Sequence, residues 1–186
     1  INDGINISGA NAKDGDVIIV SGTIGDHGIA VLSARENLGF ETALESDVAP
    51  LNHLVQAMMN AGEIHVLRDP TRGGLATSLV EISEQSNVTI ELDETSLPVK
   101  PAVKAACEML GFDPLYVANE GKLVAFVKEN DAEKVLGVMK KNNYGGDAAI
   151  IGKVIGVGKA QVRMRTAIGG TRLVDMLPGE MLPRIC

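Results

Sequence analysis

Asp69-Pro70-Thr71-Arg72-Gly73-Gly74 sets two adjacent glycines where a helical pattern begins. Glycine lets backbone approach a ligand closely, and the first N–H groups of a helix point outward with the helix dipole behind them, which suits phosphate. Arg72 would add a guanidinium fork for phosphate oxygens and Thr71 a hydroxyl. The plainer alternative is an N-capped helix with glycine for tight packing. Spacing alone favours it, because no Walker A or dinucleotide pattern stands alongside.

Asn119-Glu120-Gly121 reads as a turn before a strand, in which Glu120 is ordinarily a solvated carboxylate. In a cleft the same carboxylate could take a proton from a substrate nitrogen. Cys186 ends the chain behind Pro178 and Pro183, so its thiol could reach beyond the domain, although an incidental terminal Cys remains the alternative. Arg184 favours its thiolate and the α-carboxylate opposes it, so electrostatics leaves its reactivity open. Cys107, beside Ala105, Ala106 and Met109, reads as a small core residue. His27, His53 and His65 are scattered without CxxC or HExxH, which argues against structural zinc, and no metal ligand is assigned.

These residues need elements to hold them. Val17 to Val20 is a β-branched run ending in a Gly-rich turn at 22–28, with a helical pattern from Ile29 to Arg35. Residues 37–47 read as a polar loop, followed by a helix from about Pro50 to Ala61 and a strand at Ile64 to Leu67. Leu75, Leu79 and Ile82 recur at helical spacing after Gly74, stopping before Asn87. A strand at Val88 to Leu92, a helix at about Lys100 to Leu110, a strand at Lys122 to Val127 and a helix capped by Asp131 follow. Strands at 148–157 and 160–166 and a short one near Leu173 complete an α+β domain, a mixed sheet with packed helices, over 1–176. Residues 177–186, with two prolines and a glycine, are expected to form an extended, mobile tail.

The 186 residues, 45% of them hydrophobic, suit one well-buried core. A net charge of -7 opposes attraction to nucleic acid or anionic lipid, and 3% aromatics supply few stacking platforms. No apolar run approaches the roughly 18 residues that cross a bilayer, and no signal peptide opens the chain, so a cytoplasmic location is expected. The start at Ile1-Asn2-Asp3-Gly4, without Met, reads as a piece of something longer.

Three motifs together, Gly-Thr-Ile-Gly-Asp-His-Gly at 22–28, Asp-Pro-Thr-Arg-Gly-Gly-Leu at 69–75 and Asn119-Glu120-Gly121, resemble the ATP-binding family that includes aminoimidazole ribonucleotide synthetase, selenophosphate synthetase and HypE. The ending Pro183-Arg184-Ile185-Cys186 narrows the resemblance to the HypE branch, over the second half of such proteins. The resemblance implies an aminoimidazole ribonucleotide synthetase-like C-terminal domain. It also implies that Cys186 carries a carbamoyl group received from a HypF-like carbamoyltransferase, and that ATP drives its dehydration to a thiocyanate. Cyanide would then pass to iron held by a HypC–HypD-like complex, for [NiFe] hydrogenase. Carried onto this sequence, Glu120 is the candidate base, Thr71, Arg72, Gly73 and Gly74 are the phosphate cradle, and Asn119 and Gly121 belong to the nucleotide site. By the same resemblance an N-terminal domain supplies the Mg2+ carboxylates, much of the ATP pocket and the homodimer interface, so tight ATP or Mg2+ binding by this part alone is not expected. Two other readings stand beside it: a carrier or docking module without catalysis, and another phosphate-handling enzyme related to selenophosphate synthetase.

Overall fold

The computed structural model describes residues 5–35 and 46–176. The expected tail at 177–186, with Arg184 and Cys186, and most of the expected 37–47 loop lie outside them.

Among the described residues seven strands form one mixed sheet: β1 (Val17–Val20), β2 (Ile64–Arg68), β3 (Val88–Asp93), β4 (Val124–Val127), β5 (Ala149–Val157), β6 (Gln161–Arg165) and β7 (Thr171–Leu173). Their spatial order is β2-β4-β1-β5-β3-β6-β7, and only the β3–β6 pair is parallel. Among the described residues there are five helices: α1 (Asp26–Arg35), α2 (Asn52–Ala61), α3 (Gly74–Ser86), α4 (Pro101–Leu110) and α5 (Ala132–Lys140).

Burial on both faces explains the unbroken apolar runs of the central strands. Ile18, Val20, Val124 and Phe126 join Leu75, Leu79 and Ile82 of α3 in one core cluster. Their strand neighbours Ile19, Ala125 and Val127 point the other way, into a cluster with Leu54 and Met58 of α2 and Val135 and Met139 of α5. A third cluster joins α1 to α4 through Ile29, Val103, Ala106 and Cys107. Helix and strand positions thus follow the expected pattern, with ends displaced by a few residues; α1, for example, begins at Asp26, inside the Gly-rich turn.

The start and stop signals work as their chemistry requires. Pro101 takes the first position of α4, where its missing N–H has no helical partner to lose. Asn87 closes α3 in the left-handed region at φ 52°, its N–H returning to the Ser83 and Glu84 carbonyls. One local expectation is corrected: Asp131 makes no side-chain cap on α5. Its carboxylate accepts instead from the Glu63 N–H at 2.9 Å, which ties the start of β2 to the turn before α5.

Candidate functional site

The strand registers bring the chemistry-bearing loops to one edge of the sheet. Val20 lies opposite both Val124 and Ala149, and Arg68 also lies opposite Val124. The ends of β1 and β2 and the starts of β4 and β5 therefore share that edge. Loops 21–25, 69–73, 118–123 and 141–148 must all emerge there.

Asn119 binds three of these segments together. Its side chain is fully buried; the carboxamide oxygen accepts from the Gly25 N–H at 2.8 Å, and the amide nitrogen donates to the Pro70 and Val117 carbonyls, each at 3.0 Å. Its own N–H also reaches the Pro70 carbonyl at 3.3 Å. The three motifs, far apart in sequence, thus converge on one amide. Asn119 acts here through the scaffold, since both its amide protons are already donated to protein. Glu120, half-buried, is the next residue along, immediately beyond the grip on Pro70.

The Thr71–Gly74 segment divides into exposed and packed parts. Arg72 and Gly73 are exposed and Thr71 is partly so, at the N-terminus of the 13-residue α3. Gly73 and Gly74 both have positive φ, at 68° and 65°. A Cβ on Gly74 would lie 2.5 Å from the Leu115 carbonyl oxygen, so the close approach that demands glycine there is to the 115–117 backbone. The packing explanation therefore accounts for Gly74, while Thr71, Arg72 and Gly73 are left at the surface. Gly121, at φ 59°, is pressed in the same way against the backbone of Asp47 and Ala49.

The sequence reading missed two lysine–aspartate pairs at this edge. Lys100 Nζ lies 2.8 Å from Asp26 Oδ2, and Lys122 Nζ lies 3.0 Å from Asp47 Oδ2. The hydrogen bond to Asp26 raises the pKa of Lys100 above its ordinary value. Thr23 donates to the same Asp26 carboxylate, and His27 Nδ1 meets Ser46 Oγ at 2.9 Å, fastening the 46–49 segment to α1. Asp26 and His27 lie in the quoted turn, so the signal was present; the partners come from loops too distant in sequence to pair by inspection.

A second polar cluster surrounds His65, away from this edge. Its Nδ1 is 2.9 Å from both Asp16 oxygens and its Nε2 is 2.9 Å from Glu63. Lys128 and His65 together hold the Glu63 carboxyl down at about 2. Cys107 is buried as expected, and burial, aided by the charges of Asp113 and Glu108, pushes its thiol up to about 11. Among the described residues no three His, Cys, Asp or Glu side chains are grouped to hold a metal ion. No helix among them is long and apolar enough to cross a membrane.

Residues 13–165 match the family model of the AIR synthase related protein C-terminal domain. The carbamoyl dehydratase HypE of Cupriavidus necator is 56% identical over 184 residues, covering 98% of this chain and 52% of that protein. A crystal structure of HypE in complex with ATP superposes with a TM-score of 0.91 at 49% identity, covering 97% of this chain and 55% of that one. The structure of a HypE–HypF complex gives 0.90 at 53% identity, over 95% of this chain and 58% of that one. The chain spans about half the length of the curated relatives it matches.

Proposed function

Because this chain belongs to the AIR synthase related family, as its C-terminal domain, and within it to the HypE hydrogenase maturation proteins, we propose that the full-length protein uses ATP to dehydrate an S-carbamoyl group on Cys186 to a thiocyanate. The atoms balance as follows. The carbamoyl oxygen attacks the γ-phosphorus of ATP and ADP leaves. The two N–H protons pass to bases, the C–O bond breaks with its electrons going to the departing phosphate, and a nitrile remains on sulfur. Phosphorylation is needed because an amide oxygen is otherwise a poor leaving group. The removed water is in effect taken up in forming ADP and phosphate.

The observation that carries this reading in the geometry is the Asn119 knot. It holds the residue before Glu120 against Pro70, just ahead of Thr71 and Arg72, which supports reading Glu120 as a proton acceptor and Arg72 as a phosphate-binding guanidinium of one site. Thr71, Arg72 and Gly73 would face ATP phosphates at the start of α3, with Gly74, Asn119 and Gly121 as the framework. A HypF-like carbamoyltransferase would load Cys186, and a HypC–HypD-like complex would receive the cyanide.

Intact mass after incubation of the full-length protein with HypF, carbamoyl phosphate and ATP tests the proposal. A carbamoyl adduct should form and then lose one water. Glu120→Gln should retain the adduct and stop there, at least ~100-fold slower in dehydration, the usual scale of a lost general base. Thiocyanate formed at the unmodified rate would make Glu120 a turn residue only. Cys186→Ala should abolish both adducts.

A further inference from the structure

Two incompatible partners compete for one nitrogen of His65. Its side chain is only 8% exposed, and its Nδ1 lies 2.9 Å from both oxygens of Asp16, itself 3% exposed, so Nδ1 carries a proton and donates it. Asp16 is fixed in turn. Its Oδ2 accepts from the Lys13 N–H and its carbonyl from the Val154 N–H, each at 2.8 Å. On the other side of the ring, Nε2 lies 2.9 Å from Glu63 Oε1 and 3.0 Å from the Lys13 ammonium. A carboxylate can only accept and an ammonium can only donate. Nε2 can therefore satisfy Lys13 only when bare and Glu63 only when protonated.

The charged groups that meet the ring or its partners come from four places. They are Lys13 and Asp16 in the turn before β1, Glu63 at the head of β2, Lys128 after β4, with Nζ 2.8 Å from Glu63 Oε2, and Asp131 ahead of α5, which is spent on the Glu63 backbone N–H. From α2 comes Met59, which carries no charge. With the ring neutral, Lys13 and Lys128 together balance Asp16 and Glu63. Once the ring takes a proton, Asp16, His65, Glu63 and Lys128 make a chain of alternating sign that is balanced by itself, and Lys13 is surplus. Glu63, whose carboxyl is held down at about 2, stays a carboxylate wherever histidine titrates.

The surplus charge has somewhere to go. Lys13 is 61% exposed and lines a cleft of about 540 Å³ with Ile5, Asn6, Asn11 and Met59. We propose that His65 is a proton-driven switch for Lys13: the neutral ring holds the ammonium at Nε2, and protonation hands Nε2 to Glu63 and releases the ammonium into the cleft. The cluster as a whole gains one positive charge as pH falls. None of this depends on the ATP chemistry proposed above, since the cluster lies away from the edge that carries the three motifs.

The test follows the ring nitrogens of His65 and Lys13 Nζ by NMR in the 15N-labelled chain from about pH 5 to 8, where histidine ordinarily titrates. At the alkaline end Nε2 should be bare and coupled to Lys13 Nζ across the hydrogen bond. At the acid end both ring nitrogens should carry protons, that coupling should vanish, and the Nζ signal should move to the position of the solvated lysines. Lys13→Met, which alters only an exposed side chain, should move the transition upward by about half a pH unit, and Glu63→Gln should move it downward by about one, the scale set by a neighbouring charge. A ring that keeps one protonation state across this range overturns the switch. So does a titration that leaves Lys13 Nζ unmoved, or a transition that Lys13→Met lowers.

Discussion

The Asn119 amide and the Cys107 thiol show how differently single residues reveal themselves. Cys107 was legible from its neighbours Ala105, Ala106 and Met109, because a small soft residue in an apolar helix stretch belongs in a core. Asn119 was not: an Asn before Glu-Gly reads as an ordinary turn residue until the fold carries Gly25 and Pro70 to its side chain. Replacing it with Ala strands the Gly25 N–H and takes one donor each from the Pro70 and Val117 carbonyls, so Asn119→Ala should cost about 2–4 kcal/mol in denaturant unfolding. Cys107 yields a pH test with a definite sign. Its folded pKa of about 11 lies above the ordinary 9.0, so the thiol is retained in the fold after it would ionise in the unfolded chain. The stability this contributes is complete below pH 9 and is lost as pH rises through 11. Thermal unfolding across that window should therefore fall more steeply in the native chain than in Cys107→Ala.

At the scale of elements, periodicity located nearly every helix and strand, because each buries one stripe or two faces of apolar side chains. The short 3-10 turns at Glu94–Ser96 and Pro114–Tyr116 were not foreseen. They are held by Asp93 and Asp113 side chains accepting from the N–H groups of Thr95 and Leu115, a local bond without periodicity. The start of α3 separates scaffold from surface. Gly74→Ala forces a Cβ into the 115–117 backbone at positive φ and should destabilise by about 2–5 kcal/mol, whereas exposed Arg72→Ala should stay within about 0.5 kcal/mol. In the full-length protein the same Arg72→Ala should weaken ATP binding, as read by calorimetry. Lost stability with unchanged ATP affinity would leave Arg72 to the helix alone.

The strand order of the whole molecule was beyond the sequence, because a period of two reveals faces and says nothing of neighbours. That order is also what assembles the site, since loops meet at one edge only when β1, β2, β4 and β5 lie side by side. It further makes β5 the seam between β1 and β3. A chain ending at residue 148 should accordingly lose cooperative unfolding altogether, and a sharp denaturant transition in that truncation would refute the dependence. The position of β1 has one more consequence. It lies between β4 and β5, so the first strand of this chain to leave the ribosome has both its partners encoded far downstream. Val17 to Val20 must wait with two open hydrogen-bonding edges until residues 124–153 have been made, which marks the nascent chain as a client for chaperones that shield unpaired apolar strands.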